Sequence, residues 1–95
     1  MTWNLLMRPI EGFVWEDWVI DKLDWKHDVT SDEVEEVFFN LPYKVRRTQG
    51  QKYLLYGRSY PGRYLFVVFV WIGSIVKVIS ARDMTSAERQ MYGRK

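Results

Sequence analysis

Nine consecutive apolar residues, Tyr64 to Ile72, form the longest hydrophobic stretch of the chain. They are bracketed by Tyr60-Pro61-Gly62 and by Gly73-Ser74, residues that favour tight turns. A run of this length, rich in Val, Phe, Tyr and Trp, predicts a central strand covered on both faces. The turns on either side predict antiparallel partners at about Lys52 to Ser59 and Ile75 to Ala81. Tyr43 to Thr48 alternates Tyr43, Val45 and Arg47 with Lys44, Arg46 and Thr48, which reads as a half-exposed edge strand. Upstream the period changes. Trp15, Trp18, Val19 and Leu23 recur at three- and four-residue spacing with Asp17, Asp21, Lys22 and Asp24 between them, so Asp17 to about His27 reads as an amphipathic helix. Thr30 and Glu33 form a capping box, in which each side chain satisfies the other residue's free amide, ahead of a stripe of Val34, Val37, Phe38 and Leu41. Asn40 and Pro42 end that helix. Thr85 and Glu88 repeat the box and open a short last helix through Tyr92, which Gly93 stops before a basic tail of Arg94 and Lys95. Met1 to Gly12, broken by Pro9, reads as a lead-in, with room for a short edge strand at Phe13 to Trp15.

The chain is thus one α+β domain of 95 residues: two N-terminal helices on an antiparallel meander of about four strands, then a short C-terminal helix. The absence of cysteine excludes disulfides and thiolate metal sites. The apolar run is too short for a membrane span and the N-terminus lacks a signal-peptide core, so a soluble cytoplasmic protein is expected. The formal charge of +2 conceals a division. Met1 to Leu41 holds ten acidic and three basic residues, whereas Pro42 to Lys95 holds eleven basic and two acidic. An acidic helical half and a basic, aromatic sheet half predict a polyanion-binding face, unless the halves neutralise each other where they pack.

The outer strands of the meander end in Arg58 and Arg82. Both strands run the same way past the central one, so these ends share one edge of the sheet and could form a phosphate clamp. Lys44, Arg46, Arg47 and Lys52 add cations suited to a nucleic-acid backbone, or to protecting an edge strand from aggregation. A single His, no Cys, no glycine-rich phosphate loop and no nucleophile elbow argue against a triad hydrolase. The acidic group Asp32, Glu33, Glu35 and Glu36 lacks His or Cys and reads as a solvated helix face, so no metal or cofactor is expected.

Several segments resemble a known family. Trp15 to Phe38, with Lys26-His27-Asp28-Val29-Thr30 followed by Asp32-Glu33-Val34-Glu35-Glu36-Val37-Phe38, is similar to the helical segment of BrnT-type toxins. Gly57-Arg58-Ser59, Gly62-Arg63-Tyr64-Leu65-Phe66-Val67-Val68-Phe69 and Ile79-Ser80-Ala81-Arg82 through Glu88-Arg89 resemble the rest of that family's signature. Asp28 stands where the family usually has Gly, and Glu16 where it usually has Asp. The resemblance implies a RelE-like ribonuclease fold and a translation-blocking endoribonuclease of a type II toxin–antitoxin system. It also implies a BrnA-like ribbon-helix-helix antitoxin through which operator DNA is bound.

Metal-free cleavage by the 2′-hydroxyl needs a base, an acid and cations over the phosphorane. Arg58 and Arg82 suit the cationic role, and Arg82 could alternatively pair with Glu88 or with the acidic first helix. His27 is the candidate for proton transfer, or a helix-end side chain bonded to a carbonyl. Lys26, Lys77 and Tyr92 complete the expected RNA-binding set. Trp18, Trp25 and Trp71 could stack on bases, with core packing the stronger expectation for Trp18 and Trp71. The competing readings are a non-catalytic RNA- or protein-binding member of the same fold, and a dimer through the strand Tyr43 to Thr48.

Overall fold

A computed structural model describes residues 7–94; residues 1–6 of the expected lead-in and Lys95 of the expected tail lie outside the described residues. In chain order the elements are β1 (Gly12–Val14), α1 (Asp17–His27), α2 (Ser31–Phe39), β2 (Lys44–Arg47), β3 (Tyr53–Arg58), β4 (Tyr64–Ile72), β5 (Ile75–Asp83) and α3 (Ser86–Gly93). The strands make one sheet in the order β1-β5-β4-β3-β2. β2 to β5 form the antiparallel meander, while β1 pairs in parallel with β5, Gly12 opposite Ile75. The sheet therefore has five strands, the fifth being the short edge strand expected near Phe13. It is parallel because the chain leaves β1, crosses one face as α1 and α2, and re-enters at the far edge as β2.

Helix α1 buries Val19 and Leu23, one turn apart, and places Asp17 in its first turn where the helix dipole favours a negative charge. It stops at Asp28, whose φ of 53° and ψ of 43° are left-handed. That conformation is natural to glycine and tolerated by aspartate, which accounts physically for a glycine-type position here. Both bonds of the capping box form in α2, Thr30 with Glu33, and again in α3, Thr85 with Glu88. Val34, Val37 and Phe38 are buried as the stripe requires. Leu41 is not part of it: α2 ends at Phe39, and Leu41 is 65% exposed.

α1 and α2 cover one face of the sheet, where Val45, Leu55, Leu65, Val67, Phe69, Val76 and Val78 are buried against Val19, Leu23, Val34, Val37 and Phe38. Phe38 meets Phe69 edge-on with ring centroids 5.0 Å apart. Gly57 permits the close seating of α2, because a Cβ there would stand 2.7 Å from Val37 Cγ1. The central strand is not covered on both faces as its composition suggests. Burial alternates along β4, and its other side presents Tyr64, Phe66 and Val68 half-buried. Among the described residues, α3 is the one helix on that side. The four aromatics of the run divide between the faces: Phe69 and Trp71 pack with the core, and Tyr64 and Phe66 lie on the outer side.

Candidate nucleic-acid groove

Register determines which side chains meet on the outer face. Lys44 lies opposite Tyr56, Tyr56 opposite Phe66, and Phe66 opposite Arg82, giving one row across four strands. Arg58 lies opposite Tyr64 in the next row. Period-two alternation puts all of these on the side away from α1 and α2. The ends of β3 and β5 do share an edge, with Arg58 and Arg82 on one face and two strand spacings, about 10 Å, between their strands.

The turn that carries Arg58 is firmly built. Asn40 Nδ2 donates to the carbonyls of Arg58 and Ser59 at 3.0 and 3.1 Å, and Glu36 accepts the amide of Tyr60 at 2.9 Å. Buried Ser59 accepts the amide of Arg63 on its hydroxyl at 3.1 Å, and Gly62 closes the turn at φ 105°. α3 is anchored over the same face. Lys44 Nζ donates to the carbonyls of Met91 and Arg94 at 2.8 and 2.6 Å, satisfying the open C-terminal end of the helix. The Tyr92 hydroxyl donates to the carbonyl of Pro42.

Between α3 and the β2–β3–β4 corner lies a groove of about 1050 Å³. Lys44, Arg46, Arg58, Arg89 and Arg94 are five of its twelve lining residues, and no Asp, Glu or His is among the described residues that line it. Tyr64 forms part of its wall. The guanidinium carbons of Arg89 and Arg58 stand 4.1 and 5.7 Å from the Tyr64 ring centroid, and Tyr92 meets that ring edge-on at 6.0 Å. Neither Arg58 nor Arg89 has a carboxylate at ion-pair distance among the described residues. Two unneutralised guanidinium groups held on one ring are a ready site for phosphate oxygens.

Arg82 is placed differently. Its Nη1 and Nη2 meet both oxygens of Glu88 at 2.8 and 3.0 Å, and its plane covers the Phe66 ring at 4.4 Å. The bidentate bond from Arg82 is the main reason the Glu88 carboxyl lies below its ordinary value, and the same bond raises the Arg82 guanidinium. Nearby, burial is the main reason the Tyr56 hydroxyl is pushed upward, with the Glu88 charge adding to it. Arg82 thus fastens α3 to β5 beside the groove, and Arg89, the very next residue after its partner, supplies the free cation.

Of the expected site residues, the groove gathers Arg58, Lys44, Arg46 and Tyr92. His27 and Lys26 end α1 on the opposite, helical side, where the carbonyl of His27 accepts from Arg63 Nη2 at 2.9 Å. Arg47 lies over Tyr53 at 5.9 Å and Lys52 sits in the exposed β2–β3 turn, both at the other end of those strands from Arg58. Lys77 is bound to Glu16 at 2.7 Å. Trp18, expected in the core, is 57% exposed. The sequence reading did not single out Arg89 or Tyr64. The capping box contained the missing signal, since it commits Glu88 to the start of α3 and puts Arg89 one residue further round the helix.

Two comparisons relate the chain to known proteins. The family model described as "Ribonuclease toxin, BrnT, of type II toxin-antitoxin system" matches residues 20–88. The crystal structure of the Brucella abortus ribonuclease toxin, BrnT, solved at 1.1 Å, superposes with a TM-score of 0.67 at 22% identity, over 79% of this chain and 97% of that one. At that identity the likeness concerns the fold. No curated protein matches the sequence at significance.

Proposed function

The chain belongs to the BrnT family of ribonuclease toxins from type II toxin–antitoxin systems, and on that premise we propose that it is a metal-independent endoribonuclease that blocks translation by cutting RNA in the α3 groove. The observation that carries this reading is the pair of unneutralised arginines, Arg58 and Arg89, on the Tyr64 ring. Guanidinium forks match phosphate oxygens and stay charged at any physiological pH. RNA supplies its own nucleophile. The 2′-oxygen bonds to the adjacent phosphorus and the P–O5′ bond breaks. A 2′,3′-cyclic phosphate and a 5′-hydroxyl remain, the latter taking up a proton equivalent to the one released from the 2′-oxygen. Arg58 and Arg89 stabilise the charge that builds on the phosphorane oxygens. Lys44, Arg46 and Arg94 hold the flanking backbone, and Arg82 positions the helix that carries Arg89.

Arg58→Ala and Arg89→Ala are each expected to slow cleavage about a hundredfold, with growth arrest lost in parallel. Lys52→Ala, distant from the groove, is expected to stay within about twofold of the parent. Cleavage that survives both arginine substitutions refutes the assignment, and cleavage abolished by EDTA refutes metal independence. With no histidine among the described residues that line the groove, the rate profile through neutrality is expected to be flat.

The groove lining favours one second reading. Among the described residues it holds no His or carboxylate for proton transfer, so a member that binds RNA without cutting it would present the same surface. Salt-sensitive RNA binding with no cleavage product identifies that case. The partner in this proposal is a BrnA-like ribbon-helix-helix antitoxin, through which the pair would contact operator DNA, and the setting is cytoplasmic. No helix among the described residues is long and apolar enough to cross a membrane.

A further inference from the structure

Helix α1 carries two tryptophans that neither the core nor the groove uses. Trp18 and Trp25 are 57% and 75% exposed. Seven residues are nearly two full turns, so both rings lie on one side of the helix, about 10 Å apart along its axis. α1 enters the core through Val19 and Leu23 instead. The groove is on the far side of the sheet.

Trp18 is nevertheless fixed in place. Its indole N–H donates to Glu16 Oε2 at 2.7 Å, and the other Glu16 oxygen meets Lys77 Nζ at 2.7 Å. Lys22 Nζ stands 6.0 Å from the ring centroid. A large exposed ring already held in one orientation loses little freedom when a partner covers it. Tryptophan is also among the side chains that dominate binding energy at interfaces.

The charge around the two rings identifies the occupant. Asp17, Asp21, Asp24 and Asp28 are all exposed and outnumber Lys22 and Lys26, the two lysines of the same helix. The net negative charge disfavours phosphate, so nucleic acid does not fit this side. We infer that the Trp18–Trp25 stripe of α1 is the docking surface for a cationic amphipathic segment of the protein partner. The indoles would take the segment's apolar side chains and its guanidinium groups over their faces, and the aspartates would pair with the remaining cations. Eleven helical residues span about 16 Å, which suits about three turns of a partner helix. The inference rests on the reading that this family member has a protein antitoxin, and it places that antitoxin's anchor on the side opposite the groove.

The test uses the full chain and a synthetic helical peptide with Leu and Arg along one side, together with a version carrying Glu for Arg. Binding is followed by tryptophan fluorescence and by amide shifts in two-dimensional NMR. The Arg peptide is expected to move amides of α1, and Trp18→Ala with Trp25→Ala to weaken it by about tenfold or more. Trp18→Phe with Trp25→Phe is expected to retain most of the binding, and the Glu peptide to show none. Undiminished binding of the Arg peptide to the alanine pair overturns the inference, as does equal binding of the Glu peptide. RNA cleavage by the alanine pair separates the two claims. Parental cleavage with parental peptide binding removes the docking surface and leaves the groove standing, whereas cleavage lost with the tryptophans contradicts the division of labour between the two sides.

Discussion

Arg63 joins more of the fold than any other charged side chain described above. Its Nε and Nη2 meet both oxygens of Asp83 at 2.7 and 3.0 Å, its Nη1 donates to the carbonyl of Asp28 at 2.6 Å, and its Nη2 to that of His27 at 2.9 Å. Glu33, at the start of α2, stands 3.4 Å away. One guanidinium thus ties the α1–α2 corner to the ends of β4 and β5. Arg63→Met keeps most of the stem and removes every bond. A hydrogen bond to a charged group contributes about 1.5–3 kcal/mol where it is shielded. Asp83 is 59% exposed, so its share is discounted for solvent screening. The two carbonyls at the helix end carry most of the remainder, and the expected loss is about 2–3 kcal/mol, or about 10–20 °C in Tm for a domain of this size. Urea unfolding at several pH values checks both the size and the cause. The bond from Arg63 is the main reason the Asp83 carboxyl lies below its ordinary value of 3.8. A depressed carboxyl contributes stability that is present above its unfolded value and disappears as pH falls through the folded one. The gap between parent and Arg63→Met must therefore narrow in acid below the ordinary Asp value. A gap under about 0.5 kcal/mol at neutral pH, the range of a plain surface change, refutes the hub. So does a gap that ignores pH, at least as far as Asp83 is concerned.

Two further substitutions address the backbone. Gly57→Ala drives a methyl to 2.7 Å from Val37 Cγ1, so it is expected to cost about 1–3 kcal/mol in denaturant unfolding as α2 shifts outward. Asp28→Gly relieves a left-handed residue while keeping its carbonyl for Arg63, and is expected to raise Tm by several degrees, consistent with about 1 kcal/mol.

Most of the fold was legible because its signals are local. Two capping boxes, a change of hydrophobic period from near four to two, and turn residues at Tyr60-Pro61-Gly62 and Gly73-Ser74 each locate an element boundary without reference to the rest of the chain. What was not legible depended on the third dimension. An unbroken apolar run does not reveal that Tyr64, Phe66 and Val68 stay only half-buried on their face of the sheet. Nor does it reveal that β1 pairs in parallel, which follows from where the chain returns after α2. Trp18 looked like core by spacing alone, yet the core takes its neighbour Val19, one residue or about 100° round the helix.

The site follows the same logic at closer range. Strand direction correctly brought Arg58 and Arg82 to one edge, since that needs only the meander. Whether a guanidinium at that edge is free depends on the next element, and there one glutamate decides. Glu88 is fixed at the start of α3 by its bonds with Thr85, including acceptance of the Thr85 amide at 2.8 Å, and from there its carboxylate also reaches Arg82. Neutralising Arg82 and orienting α3 are therefore a single act, and the residue that follows turns toward Tyr64 with its charge uncompensated. A Glu88→Gln substitution separates the two consequences, because the amide oxygen can still accept from Thr85 while the countercharge on Arg82 disappears. If the groove works by free cationic charge, RNA affinity should rise, with a steeper dependence on salt as one more cation engages phosphate. Weaker binding with an unchanged salt slope would mean instead that the ion pair matters for the placement of α3, and that Arg89 reaches the groove only while Glu88 holds the helix down.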